Sequence, residues 1–220
     1  MDCCAHQRGL NQLFNDSLAR EEAKRYLKSG LDKHARRLME TIAERGLDGA
    51  NLLEIGGGVG GLHVELLKRG AARAVNVDIS SGYLAAAQNV TEQLGLRDRV
   101  DYRLADFARE ADSVPGADIT ILHRVVCCYP DMPALVTAAA QHTRRTLALS
   151  FPRGAWYMRL FEKMMNLGMW LSRSGFRLYI HPPEAIRQVA EAAGLRLVAQ
   201  RSSWPWQVML LERPLTDTSP

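Results

Sequence analysis

The sequence lacks the cysteine patterns of several protein classes. Its 220 residues include only four cysteines, which form two adjacent pairs, Cys3-Cys4 and Cys127-Cys128. This spacing matches neither a CxxC zinc site nor a disulfide framework. Thiolates favour soft metal ions, but without ligand spacing we expect no metal site. The N-terminus has no apolar segment behind a basic start, so we expect no signal peptide and a cytoplasmic protein.

Long apolar runs and concentrated charge are also missing. No run of about 18 apolar residues occurs, so no membrane span is predicted. The 28 basic and 24 acidic residues leave a net charge of only +4. The basic residues are scattered, whereas a nucleic-acid-binding protein would be expected to show a basic patch. We therefore expect a small-molecule partner and no nucleic acid, and the sequence leaves the oligomeric state open.

The sequence does contain a regular alternation of short apolar and amphipathic segments. Apolar residues at helical spacing predict two helices between residues 10 and 46, with a break near Ser29-Gly30. Strands are then predicted at 51–55, 72–77, 99–104, 117–122 and 144–150. Helices are predicted after the first strand and at 80–95 and 131–142. Such alternation predicts a parallel sheet with helices on both faces.

The C-terminal part follows a different pattern. After predicted helices at 155–171 and 183–193, strands at 195–201 and 206–212 are separated by a connection too short for a crossover helix. We therefore expect an α/β fold with a Rossmann-like seven-stranded sheet, mostly parallel with a C-terminal antiparallel strand. Residues 1–46 are predicted to form a helical lid on the domain of residues 47–220. The helix at 155–171, rich in aromatic residues and methionine, is either core or a substrate cover.

A glycine-rich turn separates the first strand from the next helix. Gly56, Gly58 and Gly61 satisfy the GxGxxG pattern, in which a pyrophosphate sits on a helix N-terminus. Glu54 favours another ligand, because a carboxylate beside the loop repels a pyrophosphate and attracts a sulfonium or amino group. S-Adenosyl-L-methionine carries both of these cations. NAD remains the alternative that the loop alone leaves open.

Acidic residues follow three successive predicted strands. Glu54, Asp78 and Asp106 all come at the carboxyl end of a strand, the edge at which doubly wound sheets bind ligands. Asp78 ends the second strand, where an acid accepts hydrogen bonds from ribose hydroxyls. One such acid is more often a helix cap or a solvated side chain. The three together predict a ligand site.

The chain resembles the class I S-adenosylmethionine-dependent methyltransferases over nearly its whole length, through EIGGGVGG, VNVDIS, LADF and the terminal strand pair. The resemblance implies methyl transfer from S-adenosyl-L-methionine to a small-molecule acceptor, with Asp106 against the adenine amino group. The cofactor-binding residues that we expect are Glu54, Gly56, Gly58, Gly60, Asp78, Ile79, Asp106, Phe107 and His123.

A narrower resemblance is to the magnesium-protoporphyrin O-methyltransferase group. It is carried by the segment HRVVCCYP at residues 123–130, by Tyr179-Ile180-His181 and by the N-terminal segment 26–31. It implies an apolar or tetrapyrrole-like carboxylate as the methyl acceptor. The sequence departs from the group at Cys128, where the group carries histidine. A thiol is largely protonated at neutral pH, and a carboxylate acceptor needs little base.

Methyl transfer is an in-line displacement on an activated sulfonium, so alignment supplies much of the rate. The candidate catalytic residues near the expected methyl group are His123, Tyr129, His181, Tyr26 and Cys128. For each of them a packing role is the alternative. We expect Cys128 to shape the pocket, while Tyr26, His123 or His181 handles any proton.

Two alternatives come from other functional classes. A nucleic-acid methyltransferase would be expected to show an NPPY or Pro-Cys motif after the fourth strand, and Cys128-Tyr129-Pro130 supplies neither. A non-catalytic cofactor-binding module would keep the glycine loop without a substrate pocket.

Overall fold

The computed structural model describes residues 15–214. The predicted pair Cys3-Cys4 and the start of the first predicted helix lie outside these residues. In the described part of the chain, no helix is long and apolar enough to cross a membrane.

Helices and strands alternate through most of the described chain. The helices are α1 (Asp16–Ser29), α2 (Lys33–Ala43), α3 (Gly61–Lys68), α4 (Ser81–Gln93), α5 (Phe107–Glu110), α6 (Met132–Gln141), α7 (Trp156–Leu171) and α8 (Pro183–Ala192). The strands are β1 (Asn51–Ile55), β2 (Arg73–Asp78), β3 (Val100–Leu104), β4 (Ala117–His123), β5 (Thr143–Pro152), β6 (Arg196–Ser203) and β7 (Trp206–Glu212). The predicted alternation is confirmed.

The strands form one seven-stranded sheet in the order β3-β2-β1-β4-β5-β7-β6. Strands β1 to β5 pair in parallel, and β7 pairs antiparallel with both β5 and β6. The predicted Rossmann-like sheet with a C-terminal antiparallel strand is therefore confirmed. Strand β5 is longer than predicted because its pairing with β7 continues to Pro152, opposite Trp206. The strand order reverses between β1 and β4, which makes their carboxyl ends a switch point where such sheets bind ligands.

The two predicted N-terminal helices are present, with the break where it was expected. Helix α1 begins at an Asn15 cap, whose Oδ1 accepts hydrogen bonds from the Ser17 and Leu18 amides. Gly30, at φ 69°, ends it. The Asp32 carboxylate then caps α2 by accepting from the His34 and Ala35 amides. Local capping chemistry therefore defines both helices.

The N-terminal helices differ in how they pack. Leu38 and Ile42 of α2 are fully buried in the same cluster as Ile121 of β4 and Leu210 of β7. Helix α1 contributes Ala19, Ala23 and Tyr26 to a separate cluster with α3 and α4. Helix α2 therefore belongs to the core of the domain, whereas α1 and the turn that follows it supply several of the described residues that line the cavity.

Candidate cofactor and acceptor site

A cavity of about 680 Å³ opens at the carboxyl edge of the sheet. Its walls come from the loops after β1, β2, β3 and β4, from α1 and the turn to α2, and from Leu178 and Trp206. Its volume is typical of small-molecule sites. No residue of α7 lines it and none is buried, so α7 is neither core nor cavity cover in this conformation.

The glycine loop approaches the cavity without side chains. A Cβ on Gly56 would lie 2.6 Å from Val125 Cγ2, and Gly58 has φ 54°, a conformation that side chains disfavour. Both glycines line the cavity. Gly60 does not line it, and a Cβ there would collide with the His63 imidazole. Gly60, at φ 78°, caps the start of α3, and its cofactor role stays a prediction.

Glu54 lies beneath this loop and is paired. Its Oε2 lies 2.7 Å from His63 Nδ1 and accepts from the His63 backbone amide at 3.2 Å. Both side chains are almost fully buried. His63 is in the first turn of α3, so the glutamate already occupies the positive end of that helix. A pyrophosphate at this helix end would meet a buried acid, which disfavours the dinucleotide alternative.

Asp78, at the end of β2, faces the cavity. Its Oδ2 accepts from the Gly58 amide at 3.0 Å, and its Oδ1 accepts from the Ser80 amide at 2.9 Å. Burial raises the pKa of this carboxyl. Each oxygen keeps a further lone pair, so the carboxylate can accept two more hydrogen bonds from a ligand. Ile79, the next residue, also lines the cavity.

Asp106 follows β3, and both of its carboxylate oxygens contact the Tyr129 hydroxyl. The Tyr129 hydroxyl donates to Asp106 Oδ1 at 3.0 Å and lies 3.3 Å from Oδ2. Burial, together with the Asp106 charge, raises the pKa of Tyr129. Phe107 is buried beside them in the cavity wall. Asp106 and Tyr129 therefore form one hydrogen-bonded pair in the cavity wall.

His123, at the end of β4, lines the cavity near the switch point. Its Nδ1 lies 2.6 Å from the Ser150 hydroxyl on β5. Burial, with the adjacent Arg124 charge, lowers the pKa of His123 to about 3. The imidazole is therefore neutral at physiological pH and a weak base. Since Ser150 occupies Nδ1, Nε2 is the nitrogen available to a ligand.

Arg124 connects three parts of the cavity wall. It has φ 62°, a left-handed conformation that is uncommon for a residue with a side chain. Its guanidinium lies 3.0 Å from the Asp32 carboxylate and 4.8 Å from the centre of the Trp206 ring. Among the described residues its buried Nε has no hydrogen-bond partner. Arg124 thus joins the turn after α1 to the C-terminal hairpin and presents a cation to the cavity.

Cys127 and Cys128 sit together in the turn after β4. Their sulfur atoms are 3.9 Å apart, and both thiols point to the Arg124 carbonyl. The hydrogen bond from Cys127 lowers the pKa of Cys128, whereas this contact and burial raise the pKa of Cys127. Both residues line the cavity. Among the described residues, no group of three or more potential ligands could hold a metal.

The last two predicted catalytic residues lie in different surroundings. Tyr26 lines the cavity, but its hydroxyl donates to Glu65 at 2.7 Å, and burial followed by the Glu65 contacts raises its pKa. His181 is not among the residues that line the cavity. Its ring stacks on Tyr179, and its Nε2 lies 3.2 Å from the Tyr129 carbonyl. The structure gives His181 a role in holding the loop after β4.

Sequence reasoning missed His63, Ser150, Asp32, Arg124 and Trp206 as parts of the site. The helix after Asp32 carries a capping signal, but nothing local indicates its partner, which lies 92 positions away. His63 lies between apolar residues at the start of α3, and nothing in that segment indicates that it pairs with Glu54. Only the fold brings these residues together.

A comparison with protein families settles the family. Residues 22–200 match the profile of the methyltransferase domain family. The chain belongs to this family. No curated protein matches it significantly.

Solved structures share the methyltransferase fold at low sequence identity. Magnesium protoporphyrin IX methyltransferase from Synechocystis PCC 6803, with bound S-adenosylhomocysteine, has a TM-score of 0.73 at 20% identity, covering 95% of this chain and 100% of that one. An O-methyltransferase family protein from Burkholderia thailandensis gives 0.71 at 18% identity, with 93% and 62% covered. Geranyl diphosphate C-methyltransferase from Streptomyces coelicolor A3(2) gives 0.62 at 13%, with 82% and 79% covered. The likeness establishes a class I methyltransferase fold.

Proposed function

We propose that this methyltransferase uses S-adenosyl-L-methionine to methylate a small apolar carboxylic acid. The observation that carries the proposal is one cavity that combines a glycine loop with Asp78 and Asp106 at the ends of adjacent strands. When bound, the cofactor supplies a methyl group already activated by its sulfonium. Magnesium protoporphyrin IX methyltransferase and the geranyl diphosphate enzyme were crystallised with S-adenosylhomocysteine, which supports this cofactor.

The chain offers suitable partners for each polar part of the cofactor. Asp78 has lone pairs for two ribose hydroxyls beyond those that accept from Gly58 and Ser80. The Asp106 carboxylate can accept a hydrogen bond from the adenine amino group, either alongside the Tyr129 hydroxyl or in its place. Ile79 and Phe107 provide apolar walls for a flat base between these two acids.

The acceptor side of the cavity is apolar apart from the ion pair between Arg124 and Asp32. Val125, Leu178 and Trp206 line it, and Arg124 lies over the Trp206 ring. A guanidinium has five N–H donors, and Nε of Arg124 has no partner among the described residues, so Arg124 can bind an acceptor carboxylate beside Asp32 and fix its orientation. A carboxylate is already deprotonated at neutral pH, so methylation of one oxygen needs no general base. The low pKa of His123 fits this requirement, because a neutral imidazole can orient an acceptor without removing a proton.

The test is to incubate the protein with isotopically labelled S-adenosylmethionine and fractionated metabolites, and to identify labelled products by mass spectrometry. A carboxylate acceptor gives a methyl ester, from which alkali releases the label as methanol. Alkali-stable label in a small molecule would contradict the carboxylate and retain methyl transfer.

Other outcomes would support other functions. Label in RNA or DNA would indicate a nucleic-acid methyltransferase. Cofactor binding without any labelled product from a broad extract would favour a non-catalytic module. The cytoplasmic location stays a prediction from the cysteine spacing and the N-terminal sequence.

A further inference from the structure

Helix α7 exposes an apolar face to solvent. Its residues Trp156, Leu160, Met164, Leu167 and Leu171 are 77%, 53%, 66%, 57% and 68% exposed. Spacings of three and four residues place them on one face of the helix, which is about 24 Å long. We call these five residues the α7 stripe. A contiguous exposed apolar surface of this kind marks an interaction site.

The charges beside the α7 stripe are mainly basic. Arg159 and Lys163 are exposed on α7, and Arg153 and Arg173 are exposed just beyond its two ends. Glu162 is the only acid between residues 153 and 173, and it is half-buried. The α7 stripe is therefore bordered by four cations. Such a face complements a partner with an apolar interior and a negatively charged surface.

We propose that the α7 stripe docks on the surface of an anionic lipid membrane, with the helix axis in the plane of the interface. Helices with tryptophan and leucine on one face and basic residues along its border bind in this way. Trp156 and Trp170 lie near the two ends of α7 and are both exposed, and tryptophan favours the headgroup region. Anionic lipid attracts the four cations.

The basic residues beside the α7 stripe disfavour a second copy of the chain as its binding partner. Two copies meeting through the stripe would bring Arg159 and Lys163 of each near the same cations of the other. Like charges at an interface oppose association. An anionic bilayer can bury the apolar side chains of the stripe and attract its basic neighbours at the same time.

The helix is also connected to the cavity wall. The Asn166 side chain makes two hydrogen bonds of 2.8 Å with the backbone of Leu178, one as donor and one as acceptor. Leu178 lines the cavity, and the next amide, of Tyr179, donates to the Cys127 carbonyl at 2.8 Å. Docking of α7 would therefore hold the acceptor side of the cavity next to the membrane. This last step rests on the proposed function, whereas the docking itself does not.

Sedimentation with vesicles tests the docking. The purified protein is mixed with vesicles of phosphatidylcholine alone or with added phosphatidylglycerol, and its partition is measured. We expect binding to the anionic vesicles that weakens with salt. Leu167→Glu should weaken it by at least about tenfold. Removing each charge by Arg159→Gln or Lys163→Gln should weaken it about fivefold.

Val198→Glu is the matched control, because Val198 is a 40% exposed apolar residue on β6, away from α7. It should bind vesicles as the wild type does. Equal binding by Leu167→Glu and wild type, or no binding to anionic vesicles, would overturn the proposal. The proposal would also be overturned if the wild type is a dimer that does not bind vesicles and Leu167→Glu converts this dimer to a monomer. Circular dichroism of the same samples reports on folding, and calorimetry with S-adenosylhomocysteine reports separately on the proposed function.

Discussion

Replacing Asp78 by asparagine should weaken binding of S-adenosylhomocysteine by at least about tenfold. In the wild type the carboxylate accepts one backbone amide on each oxygen and retains lone pairs for a ligand. Hydrogen bonds to a charged group contribute about 1.5 to 3 kcal/mol each. Asparagine keeps one oxygen and loses the charge, so at least one such bond is lost and the other is weakened.

The raised pKa of Asp78 adds a pH dependence. Because burial lifts this pKa above its ordinary value, the carboxylate takes up a proton at a higher pH than an exposed aspartate. Wild-type affinity for S-adenosylhomocysteine should therefore fall as the pH is lowered into the mildly acidic range. The affinity of Asp78→Asn should respond much less over the same range.

Isothermal titration calorimetry measures both effects, and Asp101→Asn is the control. Asp101 is an exposed acid on the neighbouring strand β3, paired with Arg103 at 2.9 Å. Its replacement should leave the affinity unchanged, and circular dichroism should show that both variants are folded. Unchanged affinity in Asp78→Asn, or tight binding of NADH by the wild type, would refute the assignment of this cavity.

Three more substitutions or measurements test other parts of the account. His63→Ala should lower the free energy of unfolding in urea by about 3 to 5 kcal/mol, because it leaves the buried Glu54 carboxylate without its side-chain partner; a negligible loss would contradict the pairing. Hydrogen exchange in residues 16–31 should slow when S-adenosylhomocysteine binds, since α1 and its turn line the cavity, and equal exchange would reject a lid. Once an acceptor is known, Cys128→Ala should retain most of the turnover with an unchanged pH profile if the thiol only shapes the pocket. Complete loss in both Cys128→Ala and Cys128→Ser, with the fold intact, would make Cys128 catalytic.

The sequence was sufficient to predict the sheet because its signals are local. Apolar strands, glycine turns and amphipathic helices alternate, and a short Trp204-Pro205-Trp206 connection requires an antiparallel pair. The carboxyl ends of parallel strands share one edge of the sheet, so the sequence alone predicts that Asp78 and Asp106 lie at the same site. Both line the cavity.

Partners that lie far apart in the chain could not be predicted in this way. Glu54 was expected to face a ligand cation, and it lines the cavity, but the contact of its Oε2 with His63 was not predicted, because the position of His63 depends on how α3 begins after Gly60. The contacts of Arg124 with Asp32 and Trp206 depend on the packing of both chain ends against the sheet. Helix α7 has the composition of a core helix, but the sheet faces are already covered, and its apolar side stays exposed.

Transfer of a labelled methyl group is the most direct test of the central claim. Wild-type protein and Asp78→Asn are incubated with labelled S-adenosylmethionine and one metabolite extract, with the cofactor below its saturating concentration. We expect a labelled small molecule from the wild type and much less of it from the variant. No label above the protein-free control, or equal label with both proteins, would contradict the central claim.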